Sequence, residues 1–231
     1  ARNRLFLLSH KDAPTFKVLA LDAGQPPSAN PLSAAQVVVP AMPGRLVESI
    51  QAASDSVYVM TRSGVYSQLL AVPLGGGAAK PIALPEKGSI EELATDPQRP
   101  GAVMMFANWI VPPSVLAYDP VAGRFTDLKM GTKPAGYDGS LYKVEDLQAK
   151  AKDGVMVPLS YVTAKDAAYP RPLLLWAYGS YGISEFPGFS SRFIAMIQNG
   201  IDFAVCHVRG GGELGEAWRL GGKDANKPNT W

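Results

Sequence analysis

The stretch Leu173-Leu174-Leu175-Trp176-Ala177-Tyr178-Gly179-Ser180-Tyr181-Gly182 decides how the chain reads. Its first half is an uninterrupted apolar run with Pro170 and Pro172 before it and glycines after it, which predicts a strand buried on both faces. A helix is expected next. Ser190 or Ser191 can cap its start, Phe193, Ile194, Met196 and Ile197 share one face, and Gly200 can end it. Ile201–Val208 then reads as a second buried strand, and a helical crossover makes the two strands parallel. On the upstream side, Leu141–Leu147 and Val155–Val162 flank Lys152-Asp153-Gly154, and Asp-Gly between alternating apolar runs signals a hairpin. Hairpin, strand, helix and strand in that order open an α/β domain with a mixed sheet.

The first 130 residues follow a different rule, a loose repeat. Leu5–Leu8, Val57–Met60 and Val103–Phe106 begin at steps of 52 and 46 residues. Each is followed by a second strand-like run, at Val18–Leu21, Leu69–Val72 and Val115–Tyr118, and then by a turn rich in Gly, Asp or Pro. Further short runs at Val37–Val39, Leu46–Ile50, Ile82–Leu84, Ile90–Ala94 and Phe125–Leu128 bring each period to about four strands. That is the make-up of a β-propeller blade, and a β-sandwich gives a similar pattern.

Composition narrows the functional classes. Of 231 residues, 47% are hydrophobic and 18% charged, which is globular rather than disordered. The net charge of +2 is spread over both halves, so there is no basic field for nucleic acid or anionic lipid. No apolar run is long enough for a membrane helix, and the segment from Ala1 to Leu5 lacks the features of a signal peptide. The lone cysteine, Cys206, sits in an apolar run and reads as a small buried hydrophobe. Two histidines and one cysteine offer no metal-ligand spacing, so neither metal nor cofactor is expected.

Chemistry in an open α/β sheet belongs at the carboxyl ends of its parallel strands. Two loops qualify there, Tyr178–Gly182 and Arg209–Gly215. The second has neither Gly-x-Gly-x-x-Gly nor a P-loop lysine, which argues against a phosphate cradle. A nucleophile elbow is not found: Ser180 has Gly182 after it but Tyr178 two residues before it, and it does not lie between a strand and a helix in the required way. His10 and His207 both precede any such elbow and read as structural.

The run Trp176-Ala177-Tyr178-Gly179-Ser180-Tyr181-Gly182, then a helix, then His207-Val208-Arg209-Gly210-Gly211-Gly212-Glu213 with Gly215, Trp218 and Asn226-Lys227-Pro228-Asn229, resembles the prolyl oligopeptidases and oligopeptidases B. That resemblance implies the last blades of a β-propeller over residues 1–140, followed by the first part of an α/β-hydrolase domain over 141–231. It implies a serine-type oligopeptidase acting on short peptides through Ser/Asp/His acyl-enzyme chemistry. It places an oxyanion-hole tyrosine at Tyr178 and, at Tyr181, an aromatic lining the pocket for the residue before the scissile bond. It reads Arg209 as paired within a tight structural turn. Gly-Ser-Tyr-Gly is nearer the oligopeptidase B form, with tyrosine where prolyl oligopeptidases carry phenylalanine, so specificity for proline or for a basic residue stays open. Acylaminoacyl or dipeptidyl peptidases, or a non-catalytic peptide-binding member, are the alternative readings.

With no initiator methionine and no triad, the chain reads as an interior piece whose nucleophile, acid and base lie beyond Trp231. Alone it is expected to be inactive and poorly soluble, its last strand unpaired and apolar on both faces. The compartment, cytoplasmic or periplasmic, is left open.

Overall fold

Period-two alternation of apolar residues lays down three antiparallel sheets in the first half of the chain. The computed structural model describes residues 3–24 and 31–230; Ala1, Arg2 and Trp231, which enter the reading of the chain's ends, lie outside the described residues. β1 (Arg4–Ser9), β2 (Lys17–Asp22) and β3 (Gln36–Val39) form the first sheet. The second runs β4 (Leu46–Ala52), β5 (Ser56–Ser63), β6 (Tyr66–Pro73) and β7 (Lys80–Ile82), and the third β8 (Ser89–Ala94), β9 (Ala102–Ala107), β10 (Ser114–Asp119) and β11 (Arg124–Asp127), each in sequential order. The repeat extends to detail. The first strand of each four-stranded sheet carries a register shift, between Val47 and Ser49 and between Ile90 and Glu92.

The middle sheet is apolar on both faces, and alternation explains why. Val57 and Val59 on β5 pack with Val18, Val39 and Val47 toward the first sheet. Their neighbours Tyr58 and Met60 turn the other way, to Ile90, Leu93, Met104 and Phe106 of the third sheet. Asp55 adds a polar stitch across the same seam, accepting from Tyr58 Oη at 2.8 Å and from the Gly101 N–H at 2.9 Å. A stack of successive antiparallel sheets, each packed face to face on the next, is blade geometry.

The fourth sheet is mixed. β12 (Tyr142–Lys150) and β13 (Met156–Ala164) form the expected hairpin around Asp153-Gly154, and β14 (Leu173–Trp176) and β15 (Asp202–Cys206) are parallel, joined through α1 (Ser191–Gln198). The spatial order is β12-β13-β15-β14. Ile194 and Ile197 of α1 pack with Phe203, Val205, Val162, Trp109 and Tyr142, and Phe193 stacks on Phe203 at 3.8 Å between centroids. Ser190 is the N-cap by backbone position, but its side chain makes no capping hydrogen bond. Asp202, buried at the start of β15, accepts from Tyr161 Oη and from Thr163 Oγ1 (2.8 Å) and pairs with Arg171 at 3.1 Å.

The structure departs from expectation at both parallel strands and at Cys206. β14 is not buried on both faces: Leu173 is 51% and Leu175 56% exposed, because β14 lies at the sheet edge and only Leu174 reaches the α1 core. β15 is not an unpaired last strand, since it lies between β13 and β14 and is bonded to both. Cys206, at the end of β15, is half-buried rather than sealed, and burial pushes its thiol up.

Candidate active site

Both loops singled out in the sequence come together at the carboxyl end of the parallel pair. Tyr178 follows β14 and is 36% exposed; Tyr181, three residues on, is 88% exposed and holds a left-handed φ of 57°. A tyrosine at positive φ is strained and persists only where its neighbours impose the turn. They do so here. The Gly182 N–H donates to Gly210 O at 2.9 Å, and Lys227 Nζ donates to Gly179 O at 2.5 Å and to Ser180 Oγ at 2.8 Å. Gly179 itself has φ 67°, and a Cβ there would fall 2.5 Å from Thr230 Cγ2 and 2.6 Å from Val208 Cγ2. The turn therefore tolerates no side chain at Gly179.

The Arg209 loop is the brace. Arg209 Nη1 is paired with Asp153 of the β12–β13 hairpin, Nε donates to Asn229 O at 3.1 Å, and Arg209 O accepts from Thr230 Oγ1 at 3.0 Å. The hydrogen bond from Arg209 holds the Asp153 carboxyl below the usual carboxylate range. Trp218, in the middle of α2 (Glu216–Leu220), donates Nε1–H to His207 O at 3.1 Å. Arg209 is thus paired within a structural turn.

Sequence reasoning missed one constellation. Ser160 Oγ lies 2.9 Å from His207 Nε2, and His207 Nδ1 lies 4.0 Å from Glu213 Oε1, an order of groups like that of a serine triad. Ser160 and His207 are each 1% exposed and Glu213 4%, so no substrate carbonyl reaches Ser160. Burial lowers the His207 pKa to about 4 and raises that of Glu213. His207 is therefore neutral near pH 7 and forms no ion pair with Glu213. Glu213 Oε1 accepts from the Glu185 N–H at 2.9 Å, tying the Arg209 loop to the segment after Gly182. The array is a structural node that reads as structural for His207. Ser160 sits on a strand 47 residues from His207, so no spacing in the sequence announces it.

Among the described residues no group of three or more His, Cys, Asp or Glu is arranged to hold a metal. No helix among them is long and apolar enough to cross a membrane.

Residues 1–130 match the family model described as "Prolyl oligopeptidase, N-terminal beta-propeller domain". The chain belongs to the prolyl oligopeptidase family. Members of this family are serine peptidases, and the blade-like sheets are propeller blades. The chain is 30% identical over 201 residues to the "Uncharacterized peptidase y4sO" of Sinorhizobium fredii, covering 79% of this chain and 28% of that protein. It is 37% identical over 129 residues to dipeptidyl aminopeptidase BI of Pseudoxanthomonas mexicana, covering 54% and 18%. Oligopeptidase B from Leishmania major superposes with a TM-score of 0.82 at 28% identity, over 100% of this chain and 33% of that one. The chain thus spans a third or less of the length of these relatives.

Proposed function

We propose that the protein containing this chain is a serine-type oligopeptidase that cuts short peptides by an acyl-enzyme route. Residues 1–140 are read as the closing blades of the propeller and 141–231 as the opening part of an α/β-hydrolase catalytic domain. The observation that carries this reading is the Tyr178 loop: a partly exposed phenol at the carboxyl end of a parallel strand, on a turn braced by Lys227 and Gly210. An O–H carried on a braced turn in that place suits the oxyanion of a tetrahedral intermediate. Tyr181, unenclosed by the described residues, is assigned to the pocket for the residue before the scissile bond, closed by parts of the protein outside them. The serine, carboxylate and histidine are assigned to residues outside this chain. No cofactor is needed for such acyl transfer, and short peptides are the partners.

The test is labelling of the full-length protein with a serine-directed fluorophosphonate, together with hydrolysis of short fluorogenic peptides. The expected result is one labelled serine outside residues 1–231 and turnover that labelling abolishes. Peptide binding with neither labelling nor turnover would make the protein a binding member of the family. The identity to dipeptidyl aminopeptidase BI favours a second reading, release of dipeptides from the amino end, which product analysis on a longer peptide separates from internal cleavage.

A further inference from the structure

Arg62 lies on β5, in the second blade, but its guanidinium is 3% exposed at the seam between two blades. Nε donates to Glu48 Oε1 on β4 at 2.7 Å; Nη1 donates to Val65 O at 3.0 Å and to Ser89 Oγ on β8 at 3.2 Å. These bonds lie near the guanidinium plane and leave its face for another contact. Phe186 takes that face, with Arg62 Cζ 3.4 Å from the ring centroid. A planar cation locked in place and desolvated is the strong form of a cation–π contact, and a lysine cannot reproduce it.

Phe186 lies four residues beyond Gly182, in the stretch that leads from the Tyr178 turn to α1. Other anchors of that stretch are the Glu185 N–H on Glu213 and, from the segment just before β12, Tyr137, edge-on to Phe189 at 5.0 Å. Arg62 reaches it from the blades. We propose that Arg62 is a positioning residue for the Tyr178 loop, with the blade seam setting through Phe186 where the stretch from Tyr178 to Ser190 lies. This rests on the assignment of Tyr178 given above. The blades then act on the reaction through one named contact, and a change at the seam of two blades is felt at the oxyanion donor.

Two readouts on the full-length protein test it. The first needs no catalysis: Phe186→Leu and Arg62→Lys each raise the rate of chymotryptic nicking within 178–190, where Tyr181 is exposed, severalfold. The second is steady-state kinetics on a short peptide. Each substitution lowers kcat about tenfold with KM within about twofold, and the double variant falls no further, because both remove one contact. Phe186→Tyr, which keeps the ring face, brings turnover back to within about twofold of wild type. Unchanged nicking overturns the positioning role whatever the kinetics show. Losses that multiply in the double variant overturn the claim that the pair acts as a unit. If Tyr178→Phe leaves kcat unaltered, the oxyanion role of Tyr178 fails instead, and nicking still decides whether Arg62 holds the loop.

Discussion

The blades and the mixed sheet use the same strand chemistry for opposite ends. In the blades, alternation sends one apolar set to each neighbouring sheet, as Val59 and Tyr58 do, and polar groups at the seams such as Asp55 and Arg62 are bonded across them. In the mixed sheet the interior is aromatic, around Phe203, Trp109 and Phe193, and one set of buried polar residues gathers toward the carboxyl end of the parallel pair. Ser160, His207, Arg209, Glu213 and Thr230 are all buried there. A repeat can rely on mainly apolar seams with a few bonded polar groups because each blade only has to stack. A loop that must hold a strained Tyr181 and a close-packed Gly179 needs directional bonds, and it places titratable groups out of water to obtain them.

If that contrast is right, truncation should hurt most in the aromatic core. Phe203→Ala is expected to destabilise by about 3–5 kcal/mol in urea unfolding, because it removes both the stack on Phe193 and the edge contact with Trp109. The buried histidine should make the mixed sheet sensitive to acid. Its folded-state pKa near 4 lies below the ordinary 6.5, so between those values the unfolded chain binds more protons and stability falls as pH drops. The loss from His207 is about 3 kcal/mol by pH 4, and it is absent in His207→Gln. Glu213 acts with the opposite sign: its raised pKa costs stability as pH rises above about 4.5, so the two slopes are separated by measuring each variant across pH 4–8. In the blades Val59→Ala is expected to cost about 2 kcal/mol with no pH dependence, read from the same unfolding curves. The exposed Arg219–Glu216 pair on α2 marks the low end, with Glu216→Gln changing stability by about 0.5 kcal/mol or less.

Local signals were legible in the sequence and long-range ones were not. The hairpin at Asp153-Gly154, the face of α1 and the four-strand period of the blades all follow from turn residues and periodicity within a few positions. The run at Leu173 reads as doubly buried because its composition is that of a central strand; its place at the edge depends on which strand β15 chooses to join. The Ser160–His207–Glu213 node depends on the register of β13 against β15, and the Arg62–Phe186 stack spans 124 positions of sequence, so neither leaves a local trace. The Tyr178–Gly182 loop is legible as a candidate from its place after an apolar strand, while the roles of Tyr178 and Tyr181 come from the family resemblance. The left-handed φ of Tyr181 is not legible, because tyrosine rarely adopts it.

The central claim is that the Tyr178 hydroxyl is an oxyanion donor, and Tyr178→Phe in the full-length protein tests it most directly. The account predicts a fall in kcat of about 10²–10³ with KM and the urea midpoint nearly unchanged, since the lost bond exists in the transition state alone. A variant that keeps its kcat, or loses activity only through a raised KM, would contradict it.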